Sequence, residues 1–433
     1  MAPKIISRTT RSGRPKGTVR NCVIDRPRKS GLEYARRGTR FSDHISVSMF
    51  WMRTIDIGDD MKKQRALWAA VAAASLLLSA SPAGQAAPAG KAAGSQPAPA
   101  VLAKGLLTPL HLSDGQDGSV LVSEEFAGQL TKIARDGSKS VVYRNAAWDV
   151  AGSDRRGRTI YLAESQGAGP MDPRPLAGHI RSIDADGKHR TFGDLAALEM
   201  KHNADGGTSY GFKDLPAACV AKLPKDVPVS YKGQIDSHPY GIDVYGDTIY
   251  VADAGANAIV SVNVESGEAE SVALLPARPH TFTAEEATAL KLPGCIAGHT
   301  YRFEPVPTDV KRGPDGWLYV SVLPGGPEDP ALGARGAVYK VNPHNGRVKL
   351  FADDVMSPTG LDMDDDGHVY VASLFGEGVL RLSAHSGKQT VVLPGMLTAD
   401  VDIRGESIYA TVNSLPAPNA APDGRVVKAP LDD

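Results

Sequence analysis

Gly246-Asp-Thr-Ile-Tyr250-Val-Ala252 is a turn glycine followed by an apolar-Tyr-apolar-small run, and phrases of this kind return six times after residue 117. The others are Gly118-Ser-Val-Leu-Val122-Ser123, Gly157-Arg-Thr-Ile-Tyr161-Leu-Ala163, Gly316-Trp-Leu-Tyr319-Val-Ser321, Gly367-His-Val-Tyr370-Val-Ala372 and Gly405-Glu-Ser-Ile-Tyr409-Ala-Thr411. Around Tyr250 the larger unit is plain. Tyr240 to Val244, Thr248 to Ala252, Asn257 to Val262 and Ala269 to Leu274 are four apolar runs split by Gly, Asp or Asn turns. Four short strands per repeat is the pattern of a propeller blade. The phrase centres are spaced by about 40, 89, 69, 51 and 39 residues, against roughly 40 to 50 for a bare blade, so two gaps carry insertions. The long gap holds a helix-like Leu195-Ala-Ala-Leu-Glu199 and Pro/Gly-rich text rather than a further phrase. The expectation is an all-β chain, a single six-bladed β-propeller.

The last unit runs out of chain before a fourth strand, which would leave an open sheet edge. Val101-Leu-Ala-Lys-Gly-Leu106 is the natural donor, so an N-terminal strand is expected to close the ring. Connections between second and third strands are tight in blades one, three and five. They are long in two, four and six: Glu164 to Gly178, Val322 to Gly336 and Val412 to Gly424. These leave on the same face as the two insertions flanking blade three, so the loop insertions gather on one face. Such clustering marks a binding face.

The propeller is expected over 101–433. Ahead of it, Met61-Lys-Lys-Gln-Arg65, the apolar Ala66 to Ala80 and the small-residue Ser81 to Ala87 match a secretory signal peptide over 61–87. A flexible Ala/Pro-rich lead-in follows over 88–100. The Arg-rich 1–60 reads as an upstream extension if translation starts at Met61, or else as part of an uncleaved anchor, the one case in which a membrane association is expected. The expected location is periplasmic or extracellular. Residues 1–87 hold 16 Lys+Arg and 6 Asp+Glu, so the rest carries 32 against 43 and is acidic. An acidic surface repels phosphate backbones, so no nucleic-acid partner is expected. The chain is expected to be a monomer.

Cys22 lies in the upstream segment, leaving Cys219 and Cys295, one in each insertion beside blade three. An even pair in an exported chain predicts a disulfide clamping the two insertions. Without CxxC or His spacing, the pair does not read as a metal site.

Glu304-Pro-Val-Pro-Thr-Asp-Val310, Gly313-Pro-Asp-Gly-Trp-Leu-Tyr-Val320, Leu323-Pro-Gly-Gly-Pro-Glu-Asp-Pro330 and Leu332-Gly-Ala-Arg-Gly-Ala-Val-Tyr339 resemble the ScyD/ScyE family of exported bacterial propellers. His238-Pro-Tyr-Gly-Ile-Asp243 with Val251-Ala-Asp-Ala-Gly-Ala-Asn257 resembles its preceding blade. The resemblance covers most of Val101 to Val427 and implies a propeller related to NHL-repeat and gluconolactonase-like folds. It implies little about activity, and the family's link to a pigment cluster does not transfer.

Gluconolactonase-like propellers hold a divalent metal in the central channel as a Lewis acid. Here Asp149, Asp309 and Asp400 start first strands, and Glu164 and Asp253 end second strands, so these five are the channel-lining candidates. They could ring a divalent cation, or they could bond backbone amides between blades. Nucleophilic catalysis is not expected, since His238, His280, His299, His344 and His385 read as solvated loop or turn residues without a Ser/Asp frame. Gly325-Gly-Pro and Ser165 to Pro170 lack the Lys-Ser/Thr of a phosphate loop. Asp362 to Gly367 reads as a charged turn, because the Glu of a calcium loop is missing. The function expected is a binding or scaffold module with its ligand or protein partner on the insertion-bearing face. The alternative is a metal-dependent, lactonase-like hydrolase.

Overall fold

Each phrase becomes the second strand of a four-stranded sheet. A computed structural model describes residues 98–169, 172–417 and 420–431; the readings of residues 1–60 and 61–87 lie outside them. The described chain is almost all β, and its strand ladders are antiparallel. Five sheets take their strands in chain order. They are β2–β5 (Pro109–Asp114, Val120–Glu124, Gln129–Ile133, Lys139–Arg144) and β6–β9 (Asp149–Arg156, Thr159–Gln166, Ala177–Ile183, His189–Phe192). Next come β12–β15 (Pro239–Tyr245, Thr248–Asp253, Ala258–Asn263, Ala269–Leu274) and β18–β21 (Pro307–Arg312, Leu318–Val322, Gly336–Val341, Val348–Val355). The fifth is β22–β25 (Pro358–Met363, Val369–Ser373, Gly378–Leu382, Gln389–Pro394). A further sheet has β26–β28 (Val401–Arg404, Ser407–Val412, Gly424–Pro430), and β1 (Ala100–Leu106) pairs with β28 as its fourth strand.

The first strands pack in sequence, β2 on β6, then β12, β18, β22 and β26, with β26 also against β2. Aromatic side chains fill the seams. Tyr161 packs with Tyr240 and Val251 of the following sheet, Tyr319 with Leu361 and Val371, Tyr370 with Val401 and Ile408, and Tyr409 with Leu112 and Val122. A ring of this kind covers on the order of 150–250 Å², so each seam gains a few kcal/mol from burial.

The insertions flanking β12–β15 do not stay as loops. The first carries α1 (Leu195–His202), β10 (Ser209–Phe212), α2 (Ala217–Val220) and β11 (Ser230–Lys232). The second carries β16 (Arg278–Thr281), α3 (Ala284–Ala289) and β17 (Thr300–Phe303). Asp194 caps α1 by accepting from the Ala197 amide at 2.8 Å, and Thr283 with Glu286 forms a capping box on α3. The four strands assemble as a seventh sheet, β11-β10-β17-β16, whose middle ladder joins one insertion to the other. Cys219 and Cys295 are disulfide-bonded across the same junction. Phe212, Phe282, Tyr301 and Phe303 form the core of this cap, together with Leu332 from the long β19–β20 loop.

Candidate functional site

Side chains alternate along a strand, so the first strands present two rows to the space between them. In between, Leu112, Ile242, Val310, Leu361 and Val401 are buried in the seams. The row nearer the strand starts includes His111, Gly241, Asp309, Gly360 and Asp400; the next includes Asp154, Asp243, Lys311, Asp362 and Asp402. The aspartates stitch neighbouring sheets through backbone amides. Asp154 Oδ2 accepts from Val244 N at 2.7 Å, Asp309 Oδ2 from Leu361 N at 2.9 Å, Asp362 Oδ2 from Ile403 N at 2.6 Å and Asp400 Oδ2 from Leu112 N at 2.7 Å. Gly241 and Gly360 make this possible, because a Cβ at either would collide with the carboxylate of Asp309 or Asp400. Burial works to lower the pKa of Lys311. Asp154, Asp362, Asp243 and Asp309 outweigh it and raise that pKa well above the usual lysine range.

Beyond the strand starts lies a second group. His238 precedes β12, Glu125 opens the single helical turn after β3, and Asp149 begins β6. His238 Nε2 stands 3.7 Å from Glu125 Oε1 and 3.9 Å from Asp149 Oδ2. His111 Nε2 is 4.0 Å from Glu125 Oε2, and its Nδ1 is 3.9 Å from Asp400 Oδ2. Tyr240 lies edge-on to both imidazoles, with ring centres 4.3 Å from His111 and 5.5 Å from His238. All six side chains are buried. Asp253 fixes the position of His238, accepting from its amide at 2.7 Å and from Ser237 Oγ at 2.7 Å. Arg174, in the β7–β8 loop, pairs with Asp172, and Asp149 adds to the field that raises its pKa.

Two opposing effects act on His111. Carboxylates about 4 Å away favour the imidazolium, while burial opposes it, as do His238 and Lys311. Burial wins and brings the pKa down to about 3. Asp400 is itself perturbed, because burial and then Asp309 push its pKa well above the carboxylate range. Burial, reinforced by Glu125, Asp400, Asp309 and Asp149, likewise keeps the Tyr240 phenol protonated. At neutral pH the group therefore combines a neutral imidazole, a phenol and several carboxyl oxygens, a set able to donate and accept hydrogen bonds within a small volume.

Of the five channel candidates, Asp149, Asp309 and Asp400 come together around Tyr240. Glu164 does not. It sits between β5 and β8, bonded by Tyr143 Oη at 2.7 Å, His179 Nε2 at 2.7 Å and Arg181 Nε at 2.7 Å. Burial would raise its pKa, yet the bonds from His179, Tyr143 and Arg181 hold it down to about 2. Asp253 supports His238 from behind. Asp309 and Asp400 take the amide-bonding role: each carboxylate accepts with both oxygens from backbone amides, those of Val310 and Leu361 or of Val401 and Leu112. Among the described residues, no three His, Cys, Asp or Glu side chains come together to hold a metal ion.

His238 corrects the sequence reading: it is 5% exposed and flanked by two carboxylates, not a solvated loop residue. His111, Glu125 and Lys311 were not singled out from the sequence. The available signal was the alternation x-apolar-x at the start of each unit, where His111-Leu-Ser113 and Asp309-Val-Lys311 depart from the Gly-apolar-Asp of Gly241-Ile-Asp243 and Gly360-Leu-Asp362.

No family model matches the chain, and no curated protein matches it. Solved structures are similar at low identity. A virginiamycin B lyase from Staphylococcus aureus with quinupristin is 12% identical, with a TM-score of 0.43 over 75% of this chain and 96% of that one. A putative gluconolactonase is 12% identical, with a TM-score of 0.45 over 78% and 94%. A PQQ-bound aldose sugar dehydrogenase from Streptomyces coelicolor is 14% identical, with a TM-score of 0.43 over 77% and 96%. Likenesses this distant assign no activity.

Proposed function

We propose that the protein is a single six-bladed β-propeller of the ScyD/ScyE type, closed by β1, that acts as a binding module outside the cytoplasm. Its ligand site is the group around His238 on the insertion-bearing face. One observation carries this reading: His238 is buried between Glu125 and Asp149 over His111 and Tyr240, a concentration of polar groups that fold stability alone does not require. The excess of carboxylates suits a small polar ligand bearing hydrogen-bond donors or a positive charge. The first-strand packing supports the six-bladed ring, and the disulfide supports an oxidising compartment. Among the described residues, no helix is long and apolar enough to cross a membrane.

The metal-dependent hydrolase has less support, since Asp309 and Asp400 already serve backbone amides between sheets. Any turnover at this site would run through proton transfer by His238, Glu125 or Tyr240. The test is a thermal-shift screen of the full-length protein against polyols, amines and sugar lactones, repeated on Glu125→Gln and His238→Asn, with lactone hydrolysis followed in parallel. Shifts lost in both variants are expected. Shifts unchanged in the variants would overturn the location, and lactone turnover abolished by His238→Asn would replace the binding module with an enzyme.

A further inference from the structure

The turn that ends α1 leaves three oxygens with no described partner. Glu199 Oε1, Asn203 Oδ1 and Asp205 Oδ1 are buried atoms without a hydrogen bond, and all fall within seven residues of chain. Glu199 and Asp205 are 3% and 1% exposed. Every other polar atom of these side chains is engaged. Glu199 Oε2 accepts from Ala204 N at 3.1 Å, and Asp205 Oδ2 accepts from Tyr210 Oη at 2.9 Å and Asn257 Nδ2 at 2.8 Å. Asn203 Nδ2 donates to the Gly233 carbonyl at 3.3 Å, which settles which amide atom is the oxygen. Each side chain is thus anchored by one end and leaves one oxygen over. An acceptor stranded in this way costs about 1–3 kcal/mol, more if charged, unless something answers it.

The electrostatics point the same way. Burial weighs most on the Glu199 carboxylate, and Asp253, Asp205 and Asp236 act on it further as like charges. The turn also lies at a helix C-terminus, the negative end of the helix dipole, with Asn203 as the left-handed cap at φ 41°. We propose that this turn is a site for a hard divalent cation of the calcium class, with Glu199 Oε1, Asn203 Oδ1 and Asp205 Oδ1 as its protein ligands and water completing the shell. Oxygen donors without imidazole or thiolate select such a cation over zinc. Two carboxylates and one carboxamide make the set, so it lies outside any three-acid cluster. Through Asp205 and Asn257, the bound ion ties the first insertion to the β13–β14 turn.

The test uses full-length protein stripped with chelator and titrated with Tb³⁺, whose emission Tyr210 would sensitise, and then with Ca²⁺ by calorimetry. One site per chain is expected, with Ca²⁺ displacing Tb³⁺. Glu199→Gln keeps the side-chain shape, and Asn203→Gly keeps the left-handed turn while removing the oxygen. Losing a ligand costs at least as much as losing an outer partner, so each variant should bind about tenfold more weakly or worse. No sensitised emission and no heat with Ca²⁺ would overturn the proposal. So would binding undiminished in both variants, which would place the ion on surface carboxylates.

Discussion

The disulfide offers the sharpest test of how the cap is held. Between the two insertions the cap has one short ladder, Gly211 with Arg302 and Phe212 with Tyr301, beside the Cys219–Cys295 bridge. If the whole chain unfolds, the bridge closes a loop over its sequence separation of 76, for which chain entropy gives about 4.5 kcal/mol. If the cap opens while β12–β15 stays folded, the free chain is only the two insertion arms, about 40 residues, and the same relation gives about 4 kcal/mol. The two figures are too close for a melting curve to separate, so the readout must be local. In Cys219→Ser/Cys295→Ser, amide hydrogen exchange followed by mass spectrometry should accelerate about a thousandfold in β10 and β17, since each 1.4 kcal/mol is a factor of ten, and stay unchanged in β12–β14. Equal acceleration in β12–β14 would refute the idea that the cap opens on its own. Unchanged exchange in the cap would show that Phe212, Phe282, Tyr301 and Phe303 hold it without the bridge.

Burial lowers His111 from 6.5 to about 3, so on acidification the unfolded chain takes up the proton first. Its contribution is complete above pH 6.5 and is lost as pH falls towards 3. It amounts to at most about 5 kcal/mol, and urea unfolding of wild type and His111→Gln between pH 7 and 4 should converge as it disappears. Glu164, held at about 2 against 4.5, contributes stability that is present above pH 4.5 and lost as pH falls through 2. Glu164→Gln should cost about 3 kcal/mol in chemical denaturation at pH 7, because it strips a buried partner from Arg181 and His179. Deleting residues 98–106 removes Leu106 from its core and bares β28. The truncated protein should melt lower and run as dimers or aggregates in light scattering, and an unaltered monomer would show that β1 is dispensable.

The radial part of the fold was legible because its signals are local. A glycine turn and an alternating strand recur in each phrase, and the missing fourth strand after Val426 made Val101 to Leu106 the obvious donor. The cap sheet was not legible, for the opposite reason. Ser209–Phe212 and Thr300–Phe303 are four-residue strands that pair across an intervening sheet, and neither has a partner in its own stretch of chain. Only the cysteines, which act at a distance, pointed to the junction. At the site, the aspartates at strand starts were visible as a pattern. His238 looked like a loop residue because the groups that bury it, Glu125 and Asp149, come from other repeats and meet it only once the first strands have packed together.

The pairing of β1 with β28 has a consequence for how the protein is made. The strand at the start of the described chain is partnered by the strand at its end, Ala100 opposite Lys428, so nearly every other residue must be synthesised before that ladder can form. A nascent or truncated chain lacking its final strand presents two unpaired edges at once, at β1 and at β27. Long-range pairing of this kind folds slowly. It also gives the cell a simple mark of incompleteness, since any molecule broken off before Gly424 carries exposed strand edges that a chaperone or protease can recognise.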